Sequence, residues 1–357
     1  MRIVFEPVET EGNKYAEIIS KGLKRNGLEV FSVTSMFADF NLFSEIKLVH
    51  LNWFENLDGS DNTAKIITFC KKIFKLLLFW ITGKKVVWTM HNRLPHDKEL
   101  MFFKKLMIKS LIRFSSIIVI HSKMSEGILL ELDPSVGKKI RYIPHPNYVG
   151  DYLPDQPEKV LPSGDGGAKP VKLLFVGAIK PYKNIELLIE LASVYQEEIQ
   201  LTIAGKPQSR AYQQKLMDAA RNFPNVVMNF SFVSDVDLAN YIQDTDLLIL
   251  PYDLRSSLNS GTVILAFSSG KTVICPSIGT IQDLNNQKDV FSYTYNNAAE
   301  HLIVLKEVLA RVIELNQNNP EVFEQMGLRM LEEVTIKNSK DRVVTSLLAA
   351  YNSLFKA

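Results

Sequence analysis

The sequence predicts an α/β protein made of two parallel-sheet domains, and three observations support this fold class. Short apolar runs alternate with amphipathic stretches from the first residues onward, as strands and helices do in a parallel sheet covered on both faces. The alternation stops once, in a segment rich in Pro, Gly and Asp, and then restarts. With 357 residues, 46% of them hydrophobic, the chain is also long enough to bury two cores.

The first half of the chain contains six predicted strands and forms a predicted domain over residues 1–150. A helix, "KYAEIISKGLKRNG", follows the first strand and ends at Gly27, a residue type common after helix C-termini. Helical patterns separate most of the later strands. The predicted strands lie in "RIVF", "LEVFSVT", "IKLVHLNW", "KKVVWTMHN", "SSIIVIHS" and "KIRYIPHP".

The second half repeats the pattern after a predicted linker at 151–171. Its predicted strands lie in "KLLFVGA", "IQLTIAG", "VVMNFSFV", "TDLLILPY" and "KTVICP", with helices between them. We predict a second domain over 172–337. A last helix within 338–357 could pack with either domain, and we expect it to pack back on the first.

Composition narrows the class of protein. Cys70 and Cys275 lie far apart in the sequence and lack the spacing of a metal site, so we expect neither a disulfide framework nor a zinc site. We expect the protein to be in a reducing compartment. The start, "MRIVFEPVETEG", lacks the apolar region of a secretory signal, and no run approaches the roughly 20 apolar residues of a membrane span. We therefore expect a cytoplasmic protein that does not cross a membrane.

Two strand-to-helix loops of the second half carry groups suited to phosphate. Ligands of doubly wound sheets bind beyond the carboxyl ends of strands, where helix N-termini offer free N–H groups. Lys180 and Lys183 flank a Pro-Tyr turn after one strand, and Ser260, Gly261 and Thr262 open a helix after another. Solvated lysines and a serine helix cap are the alternatives, but two such loops on one sheet favour a diphosphate site.

These segments resemble the donor-binding half of GT-B glycosyltransferases of the group 1 (family 4) type. The resemblance is carried by "LLFVGAIKPYKNIELLIELA", "LTIAG", "LANYIQDTDLLILPY" and "SGTVILAFSSGKTVI", and less strongly in the first half by "VVWTMHNRLPHD" and "YIPHPNY". It implies two Rossmann-like domains facing a cleft, a nucleotide-diphosphate sugar as co-substrate, and no metal or other cofactor. Within it, Lys183 matches a lysine of the family.

The sequence departs from that family at two places. Many members carry two glutamates eight residues apart around the last donor helix, and Ser257 and Leu265 occupy those positions here. Ala178 stands where members often have Arg, with Lys180 two residues further on. We therefore expect other groups to hold the donor sugar, and the resemblance does not determine the stereochemistry.

Candidate catalytic bases come from loops of the first half. His91 ends a strand, and the resemblance favours it because a histidine is common there in the family; Asp97 and Glu9 are further candidates. The acceptor-side or loop candidates are Gly12, Asn13, His121 and His145. A capping or core hydrogen bond is the alternative for any single histidine. No H-x-x-x-H helix or thiolate pair accompanies them, so we expect no metal site.

Two helical stretches, 65–85 and 100–114, combine cations with large apolar residues. Residues 64–114 hold 12 Lys and Arg against 2 Asp and Glu, although the net charge of the chain is only +2. One such helix would pack its apolar face on the sheet, but two adjacent ones favour an anionic membrane surface. The first stretch combines Phe69, Ile73, Leu77 and Trp80 with Lys71, Lys72 and Lys75. A basic region that is apolar and helical gives no reason to expect nucleic acid.

Together these features predict a metal-independent glycosyltransferase of the hexosyl type, peripheral at the cytoplasmic face of a membrane. It would move a sugar from a nucleotide-diphosphate donor to a glycan acceptor, lipid-linked, in surface polysaccharide or glycoconjugate synthesis. A sugar-nucleotide epimerase of the same fold is one alternative, although it has no need of the basic apolar helices. A non-catalytic, glycosyltransferase-like protein that binds a phosphate ligand is the other, and the missing glutamates keep it open.

Overall fold

The structure, a computed structural model, describes residues 1–10, 12–93, 100–152 and 169–356. It divides into two units, each with its own six-stranded sheet. Asp97 and most of the predicted linker lie outside the described residues. Unit 1 consists of Met1–Pro146, Arg255–Asn259 and Asn338–Ala357, and unit 2 of Asn147–Leu254 and Ser260–Lys337.

The sheet of unit 1 is parallel throughout. Its strands are β1 (Arg2–Glu6), β2 (Glu29–Phe31), β3 (Leu48–Asn52), β4 (Lys85–Met90), β5 (Ile117–Ile120) and β6 (Ile140–Tyr142), in the order β2-β1-β3-β4-β5-β6. Its first six helices are α1 (Lys14–Arg25), α2 (Val33–Ala38), α3 (Phe40–Glu45), α4 (Asn62–Ile81), α5 (Met101–Phe114) and α6 (Lys123–Leu132). Side chains on the two faces of the sheet form two cores, one around Trp88 and one around Tyr15.

The second strand is shorter than the sequence predicts. β2 ends at Phe31, and the last residues of "LEVFSVT" begin α2 instead. The reason is a helix cap, since the Ser32 side chain accepts a hydrogen bond from the Ser35 N–H at 3.0 Å.

The sheet of unit 2 is also parallel. Its strands are β7 (Val171–Val176), β8 (Ile199–Ala204), β9 (Val226–Asn229), β10 (Leu247–Ile249), β11 (Thr272–Pro276) and β12 (Phe291–Tyr293), in the order β12-β11-β10-β7-β8-β9. Its helices are α7 (Ile185–Val194), α8 (Arg210–Ala220), α9 (Asp235–Gln243), α10 (Gly261–Ser268), α11 (Gly279–Gln282), α12 (Ala298–Asn318) and α13 (Val322–Lys337). Two parallel sheets flanked by helices confirm the predicted α/β class.

The last helix, α14 (Lys340–Ser353), packs on α1 within unit 1. Gly22 allows the close approach, because a Cβ at that position would lie 2.4 Å from Val344 Cγ2. The helix also contributes Tyr351, which is fully buried and hydrogen-bonded to His50 on β3.

Candidate functional sites

The candidate phosphate site of unit 2 lies where the strand order reverses. β7 and β10 are parallel neighbours, with β8 and β9 on one side of them and β11 and β12 on the other. Such a switch point is where open α/β sheets bind their ligands. Lys180 and Lys183 follow β7, and Ser260–Thr262 follow β10, so the fold places both predicted loops at this point.

Hydrogen bonds join the two loops to each other. The Asp253 N–H donates to the Tyr182 carbonyl at 3.0 Å, and the side-chain amide of Asn184 donates to the Pro251 carbonyl at 2.8 Å. The protein itself therefore fixes the position of one loop against the other.

Gly177, directly after β7, leaves space between these loops. Its φ of +125° lies in a region that L side chains rarely adopt, and a Cβ there would lie 3.6 Å from Lys183 Nζ and 3.9 Å from Thr262 Oγ1. The ammonium group of one loop and the hydroxyl of the other thus reach the same small space.

Lys183 holds its charge in an apolar setting. Its Nζ lies 5.2 Å from the ring centroid of Tyr252 and 5.6 Å from that of Phe175. Burial, with a smaller effect of the charge on exposed Lys180, lowers the pKa of Lys183 to about 8. In the part of the chain that the structure describes, no carboxylate forms a salt bridge with it. An ammonium group without a counter-ion in such a place is suited to an anionic ligand.

The polar groups of Ser260 are used within the protein. Its Oγ accepts a hydrogen bond from the Val263 N–H at 3.2 Å and donates to Tyr252 Oη at 3.3 Å, and its N–H donates to Thr280 Oγ1 at 3.0 Å. Ser260 therefore acts as the helix cap considered as its alternative role. The first-turn N–H groups of Gly261 and Thr262 have no acceptor within the helix and remain suited to phosphate.

Tyr252 and Tyr295 are candidate residues of the phosphate site that the sequence analysis did not identify. Tyr252 follows β10 and carries the ring beneath Lys183. Tyr295 Oη accepts a hydrogen bond from the Leu254 N–H at 3.0 Å and donates to the Tyr252 carbonyl at 2.9 Å, while its ring stacks on His301 at 3.8 Å. The only sequence signal was an aromatic residue at the end of "LLILPY"; nothing there indicates the contact with Tyr295.

Unit 1 brings three predicted histidines together at the carboxyl ends of β4, β5 and β6. The rings of His91, His121 and His145 lie 4.8, 5.4 and 5.0 Å from the ring of Tyr15. His121 lies 5.2 Å from His91 and 5.5 Å from His145. The structure thus gathers one catalytic candidate and two acceptor-side candidates into one cluster.

The hydrogen bonds of His91 determine which nitrogen carries its proton. Nε2 lies 3.1 Å from Asn52 Oδ1, and Asn52 Nδ2 donates to the Glu6 carbonyl, so Oδ1 must be the acceptor. His91 therefore has its proton on Nε2 and its lone pair on Nδ1. Its ring is 7% exposed and stacks at 4.1 Å on Trp53, whose φ of +50° is strained for a bulky residue.

The histidine cluster is uncharged at neutral pH. Burial and the neighbouring histidines place the pKa of His91 well below its usual value, and burial lowers the pKa of His121 to about 4 and that of His145 to about 3. His121 Nδ1 donates to the Ile143 carbonyl at 2.7 Å, which leaves the lone pair on its buried Nε2. Among the described residues, no group of three His, Cys, Asp or Glu side chains is placed to hold a metal ion.

The remaining candidates lie in the first loop of unit 1. Asn13 is the N-cap of α1, and its Oδ1 accepts a hydrogen bond from the Tyr15 N–H at 3.0 Å. Gly12 has a φ of +69°, which explains a glycine there by backbone conformation. Glu9 is exposed. Backbone conformation and helix capping thus account for the residue types at Gly12 and Asn13. Glu9 takes part in neither the cap of α1 nor the histidine cluster described above.

Sequence comparisons identify a family match in the second half of the chain and a curated relative over about two thirds of it. Residues 164–319 match the family model of the glycosyl transferases group 1. A curated relative, the GDP-mannose:glycolipid 4-beta-D-mannosyltransferase of Xanthomonas campestris pv. campestris, is 25% identical over 245 residues. That match covers 66% of this chain and 62% of the relative, so it spans less than two thirds of the length of the relative.

Solved structures are similar over almost the whole chain. The HepE protein of Anabaena in complex with UDP-glucose has a TM-score of 0.71 at 12% identity, covering 99% of both chains. A glycosyltransferase from Rickettsia africae has a TM-score of 0.62 at 17% identity, covering 99% of this chain and 98% of that one. These structures establish the GT-B fold. The similarity to the group 1 glycosyltransferases rests on the family match over residues 164–319.

Proposed function

We propose that the chain transfers a sugar from a nucleotide-diphosphate donor whose diphosphate binds in unit 2. The observation that carries this proposal is the ammonium group of half-buried Lys183, without a carboxylate partner in the described chain, beside Gly177 and the first turn of α10. The diphosphate gains negative charge as the glycosidic bond breaks. A fixed cation and the N–H groups of Gly261 and Thr262 would stabilise that charge.

GDP-mannose is the donor that we propose. The reason is the name of the Xanthomonas relatives, which mention GDP-mannose and a glycolipid. HepE was crystallised with UDP and UDP-glucose, but it is similar in fold alone, so UDP-glucose serves as the comparison donor. The groups of the proposed phosphate site would bind the diphosphate of either donor equally, because both donors contain it.

His91 is the proposed catalytic base. We propose a β-linked product, since the name of the Xanthomonas relatives gives a β linkage. Transfer of mannose from the α-linked donor to such a product inverts the anomeric carbon and needs a base that takes the proton of the acceptor hydroxyl. The lone pair of neutral His91 lies on Nδ1, since Nε2–H donates to Asn52. His121 and His145, which are also uncharged, would lie beside the bound acceptor.

We further propose a glycan acceptor on a lipid, at the cytoplasmic face of a membrane, because α4 has two apolar faces. One face packs in the core through Phe69, Leu76 and Phe79. The other is open, with Phe74 65% and Trp80 60% exposed. The first face is that of an ordinary packed helix, and the exposed second face supports the proposed contact with a membrane.

The cations beside that open face are fewer than the sequence indicates. Lys72 donates to the carbonyls of Phe54 and Asn56, at 3.1 and 2.6 Å, and Lys84 is buried with its Nζ on backbone carbonyls. The exposed cations of α4 and α5 are Lys71, Lys105, Lys109 and Arg113. With exposed Phe102 on α5, they suit an anionic lipid surface. None of the helices described is long and apolar enough to cross a membrane.

The proposed transfer is tested by nucleotide binding followed by turnover. GDP is expected to raise the melting temperature more than GMP does, and GDP-mannose, rather than UDP-glucose, is expected to yield a glycosylated lipid. Stabilisation by UDP alone would overturn the choice of donor. A folded protein that responds to no nucleoside diphosphate would instead indicate the non-catalytic alternative.

The membrane surface is tested by co-sedimentation with vesicles containing an anionic phospholipid. Changing Lys71, Lys105, Lys109 and Arg113 to Glu is expected to release the protein. A matched variant with four exposed lysines or arginines of unit 2 changed should stay bound. Release of both variants, or of neither, would contradict a surface formed by α4 and α5.

A further inference from the structure

A cavity of about 510 Å³ opens in unit 2 away from the phosphate loops. Lys288–Ser292 at the beginning of β12 line one side of it, and α12 and α13 line the others. The strands of the sheet are parallel, and the phosphate loops follow the ends of β7 and β10. The cavity therefore lies at the opposite edge of the sheet from those loops, and its volume is in the range of small-molecule sites.

The floor of this cavity is apolar. Phe291 from β12, Val308 from α12 and Met326 from α13 are all buried and line it. Leu315 and Val322, at the junction of the two helices, extend the apolar lining toward the surface. Side chains of this kind suit a hydrocarbon chain.

The mouth of the cavity is cationic. Lys288, Arg311 and Arg329 line it and are exposed, whereas Asp289 is the one carboxylate of the lining. Asp289 is 2% exposed and already accepts two hydrogen bonds from Arg329, at 2.6 and 2.8 Å. Neither Lys288 nor Arg311 forms a salt bridge with any residue that the structure describes. Arg311 thus forms no ion pair with a described residue over the apolar floor. Lys288 has only the longer-range charge of Asp289, which Arg329 already pairs.

We propose that this cavity binds the anionic head and the first part of the hydrocarbon chain of a single-chain phosphate amphiphile. The guanidinium group of Arg311 and the ammonium group of Lys288 hold the phosphate, since a guanidinium group offers two parallel donors to its oxygens. The chain lies on Phe291 and Met326. This inference does not depend on the proposed transfer reaction, because it concerns the other edge of the sheet.

The test is calorimetric titration of the full chain with alkyl phosphates, kept below their micelle concentrations. Affinity is expected to rise about fourfold with each added methylene from hexyl to decyl phosphate, as burial of each group from water requires. Decyltrimethylammonium, with the same chain and the opposite charge, is expected not to bind. Equal affinity along the series would overturn the proposal, because the floor would then not be used.

Variants of α12 locate the site. Arg311→Glu is expected to weaken decyl phosphate binding at least tenfold, whereas Lys306→Glu, an exposed cation of the same helix outside the cavity, should bind as the parent does. Lys288→Glu is a second variant of the mouth, and thermal melting checks that each variant folds. Undiminished binding by both mouth variants, or binding lost on changing Phe74 and Trp80 of α4 to Ser, would place the amphiphile elsewhere and refute the inference.

Discussion

The lowered pKa of Lys183 predicts that donor binding weakens as the solution becomes alkaline. With a pKa of about 8 in the free protein, about nine tenths of the molecules carry the charge at pH 7 and about one tenth at pH 9. A bound diphosphate favours the charged form, so the pKa of Lys183 rises in the complex and the protonated protein is the form that binds. The affinity for GDP is therefore expected to fall about tenfold from pH 7 to pH 9.

Titration calorimetry with GDP at constant ionic strength measures this dependence, and two variants isolate its cause. Lys183→Arg keeps its charge throughout the range, so its affinity should not change with pH beyond any effect of the nucleotide itself. Lys183→Met should bind weakly at both pH values. The reasoning would be refuted if the parent protein showed no alkaline loss, or if Lys183→Arg showed the same loss as the parent.

Three further predictions concern the other parts of the candidate sites. Tyr295→Phe removes the hydroxyl group that forms hydrogen bonds with two backbone groups of the Tyr252–Leu254 loop, so we expect the KM for the donor to rise about tenfold. The control variant Tyr293→Phe loses only a hydrogen bond with His301 and should leave this KM unchanged. His91→Gln is expected to lower kcat at least a hundredfold without changing GDP affinity, and an unaltered kcat would exclude His91 as the base. His91 and His301, whose pKa values are also lowered, add to a loss of stability that should reach about 4 kcal/mol between pH 7 and pH 5.5 from three other histidines alone. Those three keep pKa values of about 3 to 4 in the folded state, whereas the unfolded chain takes up protons below about 6.5; a urea midpoint that stays constant over this range would contradict the prediction. These histidines are His50, His121 and His145.

The parallel sheets could be predicted because their central strands are buried on both faces. β5 is buried at every position and reads as a continuous apolar run rather than as an alternating one. β3 is also buried at every position, although it includes the polar residues His50 and Asn52. The end of β2 could not be predicted in the same way. Val33 suits a strand as well as a helix, and the hydrogen bond from the Ser35 N–H to the Ser32 side chain decides between them.

The candidate sites could be predicted only as far as sequence places residues at strand ends. That rule put His91, His121 and His145 at one edge of the sheet. Their assembly around Tyr15 depends on how α1 packs, which no local pattern shows. The same limit explains Lys72, whose spacing suits a membrane-facing cation but whose ammonium group binds two carbonyls of a distant loop.

The two positions where the resembling family carries glutamates are filled by residues that suit a packed interior. Leu265 lies within α10 and is 8% exposed, and Ser257 is 9% exposed. A carboxylate at Leu265 would enter surroundings that now hold an apolar side chain, so Leu265→Glu is expected to destabilise the fold by about 3 kcal/mol or more without improving turnover. Denaturant unfolding and transfer assays on this variant check both parts. A variant as stable as the parent and more active would mean that position 265 can still accept the glutamate of the family. The expected loss would mean that the donor helix has been repacked, so the sugar must be recognised by groups already present around Tyr252.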